Sequence, residues 1–212
     1  LSNEVDNSEV TNTRMAGGPP PTDASTNKET KPEPGKPRLR SGIFVYDGRA
    51  MQGFGGRSSG STKYVQVLNA YEREIGDKVD VYSLIVPTAQ EFYLPNKYRR
   101  KSNREKTNIN ATYKRLNKGI KTVDAHSEIA AHTQEYIYFR TDHHWTGLGG
   151  YYAYRAFCKT AALDAVPLSK MAKHQVKKPY LGSLYRLTQD RTIKKNSDTV
   201  EYFIPPTKTT MI

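Results

Sequence analysis

The chain has 212 residues, 36% of them hydrophobic, and 33 Lys and Arg against 21 Asp and Glu leave a formal charge of +12. That length fits one ordinary domain with a tail, and the charge favours anionic partners without choosing among nucleic acid, acidic polymer and lipid surface. A single cysteine, Cys158, excludes an internal disulfide, and no apolar run approaches the ~18 residues that a spanning helix needs.

Residues 1–40 are rich in Pro, Thr, Asn, Ser and Lys and contain no aromatic residue. Such a stretch cannot bury enough apolar surface to offset its ordering entropy, so it is expected to be a disordered linker. Six acidic residues there meet six basic ones, so the whole excess charge sits on residues 41–212, the expected domain. A low-complexity linker at this end is also what a secreted or membrane-tethered protein carries.

Gly42–Tyr46 reads as a strand ended by an Asp47-Gly48 turn. After a Gly/Ser loop, Tyr64, Leu68, Tyr71 and Ile75 recur at helical spacing, with Ser61 as N-cap and Gly76 as stop. Val79–Pro87 reads as a buried strand. Residues 107–121 return to helix, with Lys118 and Lys121 near a C-terminus where the dipole favours them. Residues 122–124 form a brief strand, 127–132 a short helix, and Glu135–Arg140 a further strand. Thr146 caps a final long helix over residues 147–163, on which Cys158 reads as a buried core thiol. Strands that alternate with helices predict an α/β fold with a largely parallel sheet, whose chemistry gathers beyond the strand C-termini.

Asp142-His143-His144-Trp145 lies at such a place, after a predicted strand and before a predicted helix. A serine-type hydrolase or acyltransferase needs an imidazole that takes the nucleophile's proton and a carboxylate that fixes the imidazole tautomer. An Asp-x-His element supplies both from one loop, so Asp142 is placed to brace His144. Two alternatives stand beside that reading. Asp142 is also a natural turn or cap residue with both His at a strand end. A metal site is the other, but adjacent His rarely ligate one ion and no cluster with ligand spacing accompanies them.

The stretch Arg140–Thr146, RTDHHWT, with Gly149–Cys158, GGYYAYRAFC, resembles the DHHW protein family of bacterial cell-surface proteins. That family is similar to alginate O-acetylation domains of the SGNH hydrolase superfamily in permuted order. Gly42–Met51, Ser83–Pro95 and Leu181–Tyr185 agree with it less specifically. The resemblance implies an SGNH-like (flavodoxin-like) three-layer sandwich with a mostly parallel sheet, incomplete at the C-terminus. It implies catalytic roles for Asp142 as orienter and His144 as base. Arg140, His143 and Trp145 flank them as candidate substrate contacts, Trp145 also packing the loop, and Gly149 and Gly150 let the helix approach the sheet closely. No metal and no cofactor are implied.

The resemblance places the nucleophile in a later serine block that these 212 residues do not contain. Ser183, in Gly182-Ser183-Leu184, is a weak substitute, since Leu184-Tyr185 gives no sign of the helix that should follow a nucleophilic serine. A partial chain is therefore expected, with an open sheet edge or a loosely packed C-terminal segment. The function implied is action on O-acyl (acetyl) groups of extracellular polysaccharide, as transferase or esterase, at the cell envelope. The alternative is a non-catalytic surface module that binds glycan or anionic cell-wall polymer. Residues 97–121 hold ten Lys and Arg against one acidic residue, Glu105, and Lys170, Lys173, Lys177 and Lys178 form a second group. No nucleic-acid motif accompanies either group.

Overall fold

The structure is a computed structural model that describes residues 35–56, 58–99 and 104–207. Residues 1–34 of the expected linker lie outside the described residues, as does the extreme C-terminus. Arg38–Arg40, assigned to the linker from sequence, instead forms strand β1. It pairs antiparallel with β2 (Ile43–Tyr46), which pairs with β3 (Arg49–Gln52). Ser41-Gly42 and Asp47-Gly48 both have positive φ at each residue, so two-residue turns with the twist of a hairpin join the three strands. Arg38 is held to the far end of the chain by Asp190 at 2.7 Å.

Helix α1 (Thr62–Ile75) forms as its spacing predicts, with Ser61 at the N-cap position but no side-chain cap bond. Its burial differs from the expected face. Val65 is buried, whereas Tyr64, Tyr71 and Ile75 are exposed among the described residues. Strand β4 (Val81–Leu84) runs parallel to β5 (Ile120–Val123), and short helices α2 (Ala89–Tyr93) and α4 (Ala125–Ala130) follow their C-terminal ends. Between them α3 spans only Glu105–Tyr113. The helix expected to residue 121 therefore stops early, because Ile120 is needed as a buried strand residue opposite Val81. Lys118 and Lys121 do not lie at a helix C-terminus.

Helix α5 (Gly147–Ala161) crosses β5 and α4, and Thr146 Oγ1 accepts from Gly149 N–H as the cap predicted. Gly149 comes so close to the Ile137 carbonyl that a Cβ would stand 2.2 Å from it. The close approach is thus to the loop before the helix, and Gly150 has ordinary room. Beyond α5 come β6 (Ala172–Gln175), α6 (Ser183–Thr188), α7 (Arg191–Lys194) and β7 (Glu201–Ile204), with β6 and β7 paired antiparallel. The fold is mixed α/β, but the sheet is not largely parallel. Among the described residues only β4 and β5 are a parallel pair, flanked by no third strand.

The expected strand over Glu135–Arg140 is the main departure. Its aromatic and β-branched residues suit a strand, and Ile137 and Tyr138 are indeed core residues. The backbone, however, makes one isolated bridge, Tyr138 to Trp145, and folds back on itself through Phe139 N–H to the His144 carbonyl at 3.2 Å. Ile137 and Glu135 N–H are met locally by the Glu135 and His132 carbonyls, while the donors at the loop's end go to Asp198, which is 1% exposed. Asp198 accepts from Arg140 N–H at 2.7 Å, Thr141 N–H at 2.8 Å, the Thr141 hydroxyl and the Tyr136 phenol. Arg49 holds the other polarity, donating to the Tyr138 and Phe139 carbonyls at 2.9 Å each. A side chain of each sign thus replaces the strand partners. Asp198→Ala would leave four donors without their acceptor, and a loss of roughly 3 kcal/mol or more is expected in denaturant unfolding.

Candidate functional site

Asp142 sits at the apex of this loop, only 2% exposed, and its carboxylate is surrounded by donors. Oδ1 accepts from His144 N–H at 3.0 Å and His144 Nδ1 at 2.6 Å. Oδ2 accepts from Ser183 N–H at 2.8 Å, the Ser183 hydroxyl at 2.9 Å and the Tyr180 phenol at 3.1 Å. Burial opposes ionisation, but the Ser183 and His144 hydrogen bonds override it and hold the carboxyl far below its usual range. Asp142 is therefore a carboxylate at every ordinary pH. Burial and the Asp142 charge raise the Tyr180 phenol, which keeps it a donor.

The sequence motif explains the local part of this geometry. Two residues of separation let the Asp142 side chain fold back onto the backbone N–H of His144, an Asx-type bond that also brings Nδ1 into reach. The His144 side chain is 64% exposed, and among the described residues its Nε2 makes no hydrogen bond. With a carboxylate on Nδ1, the neutral ring carries its proton there and presents a bare Nε2. That is the tautomer a general base requires.

The other expected contacts are placed differently. The His143 ring lies 3.8 Å from that of His144 and its Nδ1 is 2.8 Å from Ser183 Oγ. Arg140 lies with its guanidinium 4.5 Å from the Tyr136 ring centre, against the loop itself. Trp145 is half-buried against the main core, in keeping with a packing role. Asp142, His143 and His144 do bring ligand-type atoms within 4.8 Å of one another. Their Nδ1 and carboxylate atoms, however, are already engaged in the hydrogen bonds given above.

Two participants have roles that the sequence reading did not give them. Ser183 does open a helix, contrary to expectation, and the helix N-terminus is brought onto Asp142 by Gly182. A Cβ at Gly182 would stand 2.3 Å from Asp142 Cβ, so only glycine allows this approach. Ser183 nonetheless braces the site and does not resemble an activated nucleophile, because its hydroxyl proton is directed at a carboxylate and not at His144. Tyr180 is the second. The one signal in the sequence was the spacing Tyr180-Leu181-Gly182-Ser183, too short to read alone.

The basic stretch is partly consumed inside the fold. The Arg99 side chain is 10% exposed beside Glu91, Lys121 pairs with Asp80 at 2.7 Å, and Arg115 bonds Ser61 and Thr62. Lys170, Lys173, Lys177 and Lys178 are exposed, with Lys173 paired to Glu201 at 2.8 Å. No helix among the described residues is long and apolar enough to cross a membrane.

The family model described as DHHW protein matches residues 3–212. The crystal structure of a DHHW family protein from Eubacterium siraeum is similar at 33% identity and a TM-score of 0.72, over 80% of this chain and 56% of that one. Bacillus cereus PatB1 shares the fold at 18% identity and a TM-score of 0.62, over 77% of this chain and 58% of that one. The O-acetyltransferase domain of Pseudomonas putida AlgJ is similar at 17% identity and a TM-score of 0.50, over 78% of this chain and 64% of that domain. This chain thus spans little more than half the length of the first two. No curated protein matches it.

Two outcomes follow from the packing around Asp142. Gly182→Ala forces the Asp142 loop and α6 apart, and a loss of roughly 1–3 kcal/mol is expected in thermal or denaturant unfolding. The second concerns acid. Because the folded carboxyl is depressed, its contribution is complete above the unfolded value of ~3.9 and is lost as pH falls through the lower folded value. Asp142→Asn should therefore be less stable than the parent near neutrality and show a shallower loss of stability below about pH 4, followed by unfolding midpoint against pH.

Proposed function

Because this chain belongs to the DHHW protein family, we propose that it is an SGNH-like domain that acts on O-acyl groups, acetyl in the first instance, of an extracellular polysaccharide. His144 is the general base and Asp142 its orienter. The carrying observation is the 2.6 Å contact of His144 Nδ1 with a buried carboxylate, which leaves Nε2 free and exposed. Likeness to the AlgJ O-acetyltransferase domain supports the choice of acyl group and the three-layer architecture.

In this mechanism Nε2 takes the proton of a serine hydroxyl as that oxygen attacks the ester carbonyl. The imidazolium that forms is stabilised by Asp142 and returns the proton to the departing sugar oxygen. The second half transfers the acyl group to another hydroxyl or to water, with His144 again taking the proton. The serine in this reading is not one of the described side chains, and Ser183 serves the carboxylate. The reaction requires no metal and no cofactor. Arg140 and Trp145 support the loop, and the domain works at the cell surface or in the envelope.

A second reading is favoured by the exposed Lys170, Lys177 and Lys178. On it the domain is a non-catalytic surface module that holds an anionic glycan or cell-wall polymer. Hydrolysis and transfer of acetyl from a chromogenic acetyl ester by the full gene product separate the two. His144→Ala is expected to lower the rate roughly 10²- to 10⁴-fold. Equal rates in parent and variant would remove His144 from the mechanism and leave the binding reading.

A further inference from the structure

The proton inventory around Asp142 assigns more than one tautomer. Ser183 Oγ has one proton and two neighbours, Asp142 Oδ2 at 2.9 Å and His143 Nδ1 at 2.8 Å. An ionised carboxylate can only accept, so the serine proton goes to Oδ2. The contact with His143 is then a hydrogen bond only if Nδ1 carries a proton and donates it to Ser183 Oγ. Direct donation from His143 to the carboxylate is not available, since Nδ1 is 3.6 Å from Oδ1. One carboxylate therefore sets both rings, His144 by contact and His143 through a serine relay.

Both neutral imidazoles consequently carry Nδ1–H and present a bare Nε2. Their rings are 3.8 Å apart, their side chains are 42% and 64% exposed, and neither Nε2 is hydrogen-bonded among the described residues. General-base catalysis needs one such lone pair. A second one on the neighbouring ring, held by a dedicated relay in the tautomer that a free histidine side chain disfavours, is an acceptor for a second donor.

We infer that His143 Nε2 accepts a hydrogen bond from the substrate hydroxyl adjacent to the one that His144 serves, and that Ser183 is the positioning residue that makes it able to. The ligand chemistry is a vicinal diol on a pyranose ring. This deepens the polysaccharide reading and rests on it for the role of His144. An acceptor whose tautomer is fixed favours a ligand that offers a hydroxyl there over an analogue that lacks it. His143 is thus a determinant of which ring position reacts.

Nitrogen-15 NMR of the histidine side chains in the chain itself tests this, at a pH above the imidazole range. Parent His143 is expected to show its one-bond N–H coupling at Nδ1, as His144 does. Ser183→Ala should lose that coupling at His143 and gain one at Nε2, with His144 unchanged, and Ser183→Thr should restore the parent pattern. A parent His143 protonated at Nε2, or one indifferent to Ser183→Ala, would overturn the assignment. Titration with methyl glucopyranoside should then shift Nε2 of both rings, and its 3-deoxy analogue, which has no adjacent ring hydroxyls, should fail to shift His143. A response from His144 alone, or from neither ring, would overturn the recognition role. These spectra are independent of turnover, so a failed relay and a failed general base are told apart by the His144→Ala rates.

Discussion

An ionised carboxylate can be carried into a nearly dry site only if donors are supplied to its lone pairs. This fold meets that condition around the site at Asp142 and at Asp198, and Thr141 joins the two. Its hydroxyl donates to Asp198 Oδ2 and accepts from Gly182 N–H at 2.8 Å. Gly182 in turn delivers the Ser183 N–H and hydroxyl to Asp142. The segment before β7, the site loop and the start of α6 are thereby tied by one continuous set of hydrogen bonds. Arg49 completes it from β3 with bonds to the Tyr138 and Phe139 carbonyls. Loop backbone that would otherwise be orphaned in the interior is satisfied by a cation on its acceptors and an anion on its donors.

This arrangement explains what was legible in the sequence. Asp142 and His144 were readable because their bond is local: two residues of spacing are enough to set it. Thr146 was readable for the same reason, as a cap acts three residues ahead, and Asp47-Gly48 announced its turn because both residues tolerate positive φ. Asp198 was not readable, and Ser183 was noticed but not its bracing role, since they act across 57 and 41 residues. The false strand at Glu135–Arg140 has the same origin. Its residues suit a pleated surface, but strand formation also needs backbone partners, and distant side chains took those places. The basic stretch shows a related limit, because composition cannot show that Arg99 and Lys121 are paired with Glu91 and Asp80.

The exposed stripe on α1 and the two-stranded parallel pair share one character. Tyr64, Tyr71 and Ile75 keep helical spacing, yet each stays substantially exposed. Val65 alone on that helix is buried, and Tyr64 is held by its phenol against Ser83 Oγ at 2.8 Å. Helix periodicity reports that a helix is amphipathic, but it does not report which neighbour covers the face. The site does not depend on that face. Its supports come from β3, α6, the segment around Tyr180 and Asp198, all on the described body.

The carboxylate's two oxygens divide the chemistry. Oδ1 faces His144 and fixes its ring, and Oδ2 faces Tyr180 and Ser183, which fix the carboxylate. Because the bracket on Oδ2 includes a hydroxyl, it can pass the same polarity on to His143 without a second buried charge. A second Asp in that position would bring a like charge against Asp142 and raise one of the two carboxyls out of ionisation. A neutral relay avoids that penalty. One buried anion is thereby enough to orient two neighbouring imidazole rings, His144 by direct contact and His143 through the Ser183 hydroxyl.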